Sequence, residues 1–329
     1  MTSGLGDYLI MGDLMRKVET LVPEARCLMV HRNNPHVKLW KYDNHSKRFY
    51  DIYKPAQFLR LVLYLQGARR KGYTVFGLQM APGSIQGFFF NKLLKKLKAL
   101  DYIVDFNLIN ADIIIPPRGS YILDLHLNQI KDLFKVEIPE ELYNLVLPIE
   151  DSNGSKTTAN KSHMRIGIHP WSRRGHMPSF VWPFEKWLEV IKFLLDKDDN
   201  EISIFGKDMK FESFRDYLQT EIKSPSQRIK FIPCNSVKEL INVIKTLDLL
   251  LSVNTSVVHI GYALNKKMVI LCGPSLDIWI PKGDNIKVVS DQEAIFSGSD
   301  KYINDNRFPI VTRIDSAKVI DALKKFNFS

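Results

Sequence analysis

Residues 252–275 read SVNTSVVHIGYALNKKMVILCGPS, and their pattern sets the fold class. A run ending in Ser252-Val253 is followed by three polar residues, Asn254-Thr255-Ser256, and then by an apolar helical stretch over 257–264. A second apolar run, 268–272, stops at Gly273-Pro274-Ser275. Strand, polar turn, helix and strand make the repeating unit of a parallel sheet, whose neighbouring strands need a crossover between them. Asn254 or Thr255 can cap the helix, and the N–H groups behind such a cap also make a seat for a diphosphate. His259 falls one turn into the helix, where it either faces the same place or sits as a satisfied core histidine. The residues alone leave both pairs of readings open.

The same alternation extends outward in both directions. Downstream of residue 164 the sequence predicts strands over 165–169, 201–205, 229–232 and 249–253, with helices over 184–195, 211–222, 237–246 and 316–326. Upstream, a first helix carries Leu14, Val18 and Leu21 at helical spacing and ends at Pro23. Strands are expected over 26–32, 73–79, 102–107 and 113–115, and helices over 56–68 and 88–100. Between them, EDSNGSKTTANKSH at 150–163 is almost free of apolar residues, as a linker is. The expected organisation is α/β throughout: an N-terminal domain over 1–150, a linker over 151–164 and a C-terminal domain over 165–329. The last helix has room to pack back on the N-terminal domain.

Composition bounds the chemistry. The 329 residues are 45% hydrophobic and 25% charged, a globular balance with length for two cores. Cys27, Cys234 and Cys272 are the three cysteines; they stand far apart with no C-x-x-C, which argues against disulfides, zinc and iron–sulfur clusters and fits a reducing cytoplasm. No apolar run approaches the roughly 18 residues that span a bilayer. The net charge of +10 attracts anions, whether nucleic acid, an anionic membrane surface or a phosphorylated substrate. No zinc-finger, basic-zipper or RNA-recognition spacing is present, so nucleic acid is not an expected partner.

Three further segments carry polar groups at strand ends. IGIHPWSRRGHMPSFVWPFEKW at 166–187 takes a strand ending in His169 into a loop with Ser172, Arg173 and Arg174. Ligands of open α/β sheets bind beyond the carboxyl ends of the strands, and two arginines there can grip phosphate, although such a pair also suits a solvated surface. Phe205-Gly206-Lys207 ends another strand with a glycine and a cation. At the N-terminus, Gly4-Leu5-Gly6-Asp7 opens the first helix; a glycine loop with a carboxylate suits a ligand approach or a plain capped turn.

Taken together these pieces resemble glycosyltransferase family 9, the heptosyltransferase family, over nearly the whole chain. Gly4-Leu5-Gly6-Asp7 is similar to its N-terminal G-x-G-D loop, Pro23-Glu24-Ala25-Arg26 to its helix exit, and His169-Pro170 with Trp182-Pro183 to its donor-phosphate segment. Asn254-Thr255-Ser256 through His259, Ala263-Leu264 and Gly273-Pro274-Ser275 resemble its D-T-G-x-x-H…A-A-L…G-P-[ST] signature. The resemblance implies a GT-B architecture of two Rossmann-like, doubly wound domains facing across a cleft. It implies a nucleotide-diphosphate sugar on Gly4, Gly6, His169, Ser172, Arg173, Arg174, Gly206, Lys207, Asn254, Thr255, Ser256 and His259, and Asp7 as the base of an inverting transfer. No metal or other cofactor is implied, since no D-x-D stands at a strand end near these loops.

Three departures qualify the match. The signature aspartate is Asn254, its glycine is Ser256, and Phe180 replaces the lysine two residues before Trp-Pro, a cation that Arg173 or Arg174 can supply. These changes keep a non-catalytic nucleotide-sugar or glycan binder as the alternative. The acceptor implied is a phosphorylated or lipid-linked cell-envelope glycan, handled in the cytoplasm. In FFFNKLLKKLKAL at 88–100, Leu93, Leu94, Leu97 and Leu100 form a stripe among lysines, which suits either a core helix or peripheral contact with an anionic inner-membrane surface.

Overall fold

The computed structural model describes residues 5–31, 49–51, 54–78, 85–105, 111–147, 164–172, 180–196, 199–207, 210–222, 227–273, 277–291 and 311–326. The chain divides into two compact units, Met1–Pro148 and Ile149–Ser329.

In the first unit the order is α1 (Leu5–Leu21), β1 (Met29–His31), β2 (Phe49–Asp51), α2 (Pro55–Arg70), β3 (Phe76–Leu78), α3 (Ile85–Lys96), β4 (Tyr102–Asp105), β5 (Ile113–Ile114) and α4 (Ile122–Phe134). All the pairings are parallel, β1 with β2 and β3-β4-β5 in a second sheet. Helix α4 is absent from the sequence reading. Its buried residues Ile122, Leu123, Leu125, Leu127 and Ile130 carry helical spacing, and Asp124 accepts from the Tyr121 N–H at 3.1 Å at its start. The leucine stripe of α3 is divided: Leu94 and Leu100 are buried, whereas Leu93 and Leu97 are exposed, and since the helix stops at Lys96, Leu97 and Leu100 lie beyond it.

Helix α1 also hides a charged pair. Asp13 and Lys17, one turn apart, are 2% and 4% exposed and bonded to each other. Lys17 donates to the Asn144 carbonyl at 2.6 Å, and Asp13 accepts from the Val146 N–H at 3.2 Å. The pair therefore ties α1 to the last described residues before the unit boundary. Burial pulls the Lys17 ammonium below its ordinary range, against the opposing pull of Asp13.

The second unit contains β6 (Arg165–His169), α5 (Phe184–Leu195), β7 (Glu201–Gly206), α6 (Phe211–Glu221), β8 (Ile229–Pro233), α7 (Val237–Thr246), β9 (Leu249–Val253), α8 (Ser256–Ala263), β10 (Lys267–Leu271), β11 (Ile286–Val289) and α9 (Ser316–Lys324). They form one parallel sheet in the order β11-β10-β9-β6-β7-β8. Numbered from β6, that is the 3-2-1-4-5-6 order of a Rossmann sheet, whose winding reverses between β6 and β9.

The strands β6, β9 and β10 are buried on both faces over most of their length, and the sequence shows this as nearly continuous β-branched and leucine runs. On one face Ile166, Ile168, Ile204, Leu249, Leu251 and Leu271 share a core with Trp182, Trp187 and Leu194. Helix α7 starts at Ser236, whose hydroxyl accepts from the Glu239 N–H at 3.1 Å while Glu239 accepts from the Asn235 N–H at 2.8 Å. Helix α9 packs on α5, β10 and β11 of its own unit.

Candidate active site

The winding reversal places the ends of β6 and β9 side by side. His169, the last residue of β6, is in register with Ser252 of β9, and both are buried. One strand over, Gly206 ends β7 with φ +123°, a conformation open to glycine and strained for other residues. A β-carbon there would lie 2.7 Å from Trp171 Cδ1 and 3.1 Å from His169 Nε2. The missing side chain is what lets these two rings close over the strand end. Trp171 is fixed by its indole N–H, which donates to the Phe205 carbonyl at 3.0 Å, and the His169 ring lies 5.5 Å from that of Phe205.

His169 is the least compensated polar group of this region. Its Nδ1 is buried without a hydrogen-bond partner, and burial pushes its pKa down to about 3. The ring is therefore neutral at physiological pH, and it can serve a ligand through a hydrogen bond rather than through charge.

Beyond β9 the chain turns through Asn254 and Thr255 into α8. Thr255 is the N-cap: its hydroxyl accepts from the Val257 N–H at 3.4 Å. Asn254 is left for another task, its amide pointing to Cys272 Sγ at 3.9 Å and its N–H donating to the Leu271 carbonyl at 2.9 Å. Cys272 is buried and its thiol pKa is pushed up to about 12, so it stays protonated and unreactive. Ser256 opens α8 half-buried, and His259 lies buried within it. The first N–H groups of α8 thus stand at the switch point, where dipole and unused donors favour an anion.

The structure brings His169, Gly206, Asn254, Thr255 and Ser256 to the carboxyl ends of three neighbouring strands. Ser172 follows half-buried, and Lys207 is exposed with its ammonium 3.3 Å from Asn235 Oδ1. Gly4, Arg173 and Arg174 lie outside the described residues. In the first unit, Gly6 is buried and Asp7 half-buried in the first turn of α1. Trp171, Ser252 and Cys272 were missed by sequence reasoning; Trp171, beside the His-Pro pair, offered the only legible signal. Among the described residues no three His, Cys, Asp or Glu side chains gather as a metal centre would need.

A 3-2-1-4-5-6 sheet with a helix N-terminus at its switch point defines a doubly wound, Rossmann-like α/β protein. The sequence profile of glycosyltransferase family 9 (heptosyltransferase) matches residues 126–299, more than half of the chain. The chain belongs to that family, and it is a glycosyltransferase.

Solved structures agree in fold. Escherichia coli ADP-heptose LPS heptosyltransferase II is 16% identical with a TM-score of 0.60, over 98% of this chain and 96% of that one. A family 9 glycosyltransferase from Veillonella parvula is 16% identical with a TM-score of 0.64, over 98% and 94%. E. coli heptosyltransferase WaaC with ADP-2-deoxy-2-fluoro heptose is 12% identical with a TM-score of 0.62, over 99% and 98%. The likeness defines the architecture as GT-B. Comparison with curated proteins gives no match.

Proposed function

We propose that the protein transfers a heptose or related sugar, with inversion and without a metal, from a nucleotide-diphosphate donor to a phosphorylated or lipid-linked glycan of the lipopolysaccharide type. The reaction belongs on the cytoplasmic side of the inner membrane, and the chain's positive charge favours an anionic acceptor and contact with that membrane's surface. The observation that carries the donor half is the juxtaposition at the switch point of the α8 N-terminus, the neutral buried His169 and the side-chain-free Gly206. The related E. coli ADP-heptose LPS heptosyltransferase II, and WaaC with ADP-2-deoxy-2-fluoro heptose, support the donor class.

In this reading the α8 N–H groups hold the diphosphate and stabilise its charge as it leaves. Arg173 and Arg174 supply the cation that Phe180 displaces, and Ser172 and Lys207 flank the same strand ends. Asn254, in place of a carboxylate, shapes which sugar is accepted, and His259 supports the helix that carries the pocket. Asp7, beside Gly6, takes the proton from the acceptor hydroxyl. The acceptor oxygen bonds to the anomeric carbon, the bond from that carbon to the diphosphate breaks, and its electron pair leaves on the diphosphate.

Transfer and donor-binding measurements with ADP-heptose test this on the wild-type protein and on Asp7→Asn. Turnover should fall about a hundredfold or more with donor affinity little changed, as loss of a positioned base does. Near-normal turnover in the variant removes Asp7 from the mechanism, and absence of donor binding by the wild type removes the donor assignment.

A further inference from the structure

From residue 52 to residue 100 the sequence holds nine lysines and arginines and no aspartate or glutamate, close to the whole net charge of +10. This segment supplies α2, β3 and α3. The two helices run side by side in the same sense. The Phe58 ring lies 6.2 Å from that of Phe90, and two turns further on the Gln66 amide donates to the Leu97 carbonyl at 2.7 Å. Arg69 donates to the Lys98 carbonyl at 2.6 Å, and Leu61, Val62 and Leu65 share a core with Leu94 and Leu100.

Both helices also carry large apolar side chains on the outside. Leu59 and Leu63 of α2, and Phe89 and Leu93 of α3 with Leu97 just beyond it, are between 37% and 63% exposed. Their spacing places them together. Leu59 lies two turns before Gln66 and Leu63 one turn before it, so both sit on the side of α2 nearest α3. Phe89 and Leu93 likewise precede Leu97 by two turns and by one, and the Leu97 N–H still donates to the Leu93 carbonyl at 2.9 Å. Leu94 and Leu100, the rest of the stripe expected from the sequence, are the ones that the core takes. Two apolar rows thus border one groove between α2 and α3, with Arg60, Arg70, Lys92 and Lys96 exposed around them.

We infer that this face of α2 and α3 docks on an anionic lipid bilayer, its leucines and Phe89 entering the headgroup boundary while its cations meet lipid phosphates. The inference rests on the membrane contact proposed above and assigns that contact to one face. Charge complementarity selects the occupant. A second copy of the chain would set one uniformly basic segment against another, and a soluble polyanion would engage the cations but leave the apolar rows in water. An anionic bilayer answers both features. Its surface potential makes each cation worth about fivefold in binding, and its acyl boundary covers the apolar side chains. A protein with an acidic rim and an apolar centre is the competing occupant. Docking through this face holds the first unit, whose α1 carries Asp7, at the surface where a lipid-linked acceptor lies.

The test is flotation of the purified full chain with vesicles of phosphatidylglycerol and phosphatidylethanolamine, with phosphatidylcholine vesicles as the neutral reference. Binding to the anionic vesicles should be at least about tenfold tighter, and should weaken as salt rises from about 0.1 to 0.5 M. Leu63→Gln with Leu93→Gln keeps helix-forming residues and should weaken binding by about tenfold or more. Leu59→Gln with Phe89→Gln serves the same purpose should the first pair lower the melting temperature. Arg60→Gln, Arg70→Gln and Lys96→Gln together should weaken binding about a hundredfold. Removing three exposed cations of the second unit, by Lys238→Gln, Lys318→Gln and Lys325→Gln, should change it less than about threefold. A wild type that binds neither vesicle overturns the inference together with the membrane contact it rests on, and leaves an acidic protein as the occupant. Wild-type binding that the apolar variants retain, or that the second-unit control loses equally, overturns this assignment alone.

Discussion

Replacing Gly206 by alanine perturbs fold and site at one atom. The new methyl would sit 2.7 Å from Trp171 Cδ1 and 3.1 Å from both Cδ2 and Nε2 of His169, on a backbone with φ +123°. Neither ring can swing into solvent, because both are buried and the Trp171 indole is held on the Phe205 carbonyl. Backbone strain of this kind costs about 1–3 kcal/mol, and overpacking a filled site costs about as much again. A total of about 2–6 kcal/mol lowers the melting temperature of a unit this size by roughly 4–24 °C. Differential scanning calorimetry of the full chain measures it. A shift below about 2 °C would refute the claim that Gly206 is required by the closure of Trp171 and His169 over the strand end.

Two further outcomes follow from buried ionisable groups. The His169 pKa of about 3 lies below the ordinary 6.5, so between these values the unfolded chain holds a proton that the native one does not. This ring costs nothing above pH 7 and removes about 1.4 kcal/mol of stability per pH unit below 6.5, or about 2.7 kcal/mol by pH 4.5. Urea unfolding of the wild type and His169→Gln at pH 7 and 4.5 should show that slope only in the wild type; parallel profiles would refute it. Removing Asp13 leaves the nearly buried Lys17 charge without its carboxylate, so Asp13→Ala should cost about 3–5 kcal/mol, whereas Asp13→Leu with Lys17→Met should cost clearly less. Equal losses in chemical denaturation would mean that the pair is not coupled.

The sequence by itself determined most elements of the second unit. Strands 165–169 and 249–253 and helices 184–195 and 237–246 coincide with β6, β9, α5 and α7, because doubly covered strands and one-sided helices leave distinct periodicities. It also located the Asn254-Thr255-Ser256 turn and the His169 and Gly206 strand ends, since local polar and glycine signals mark where strands stop. It missed β2, α4 and β11, predicted β1 over seven residues where Met29–His31 form it, and passed over Asp13 and Lys17 within an apparently apolar helix. Only tertiary structure decided three matters. Strand order, which sets β6 against β9 and makes the switch point, is a property of long-range pairing. The neutrality of His169 depends on what buries it. A cavity of the first unit is lined by residues of β1, β3, α1, α2, α3 and α4, and no local pattern encodes a space that residues far apart in sequence enclose.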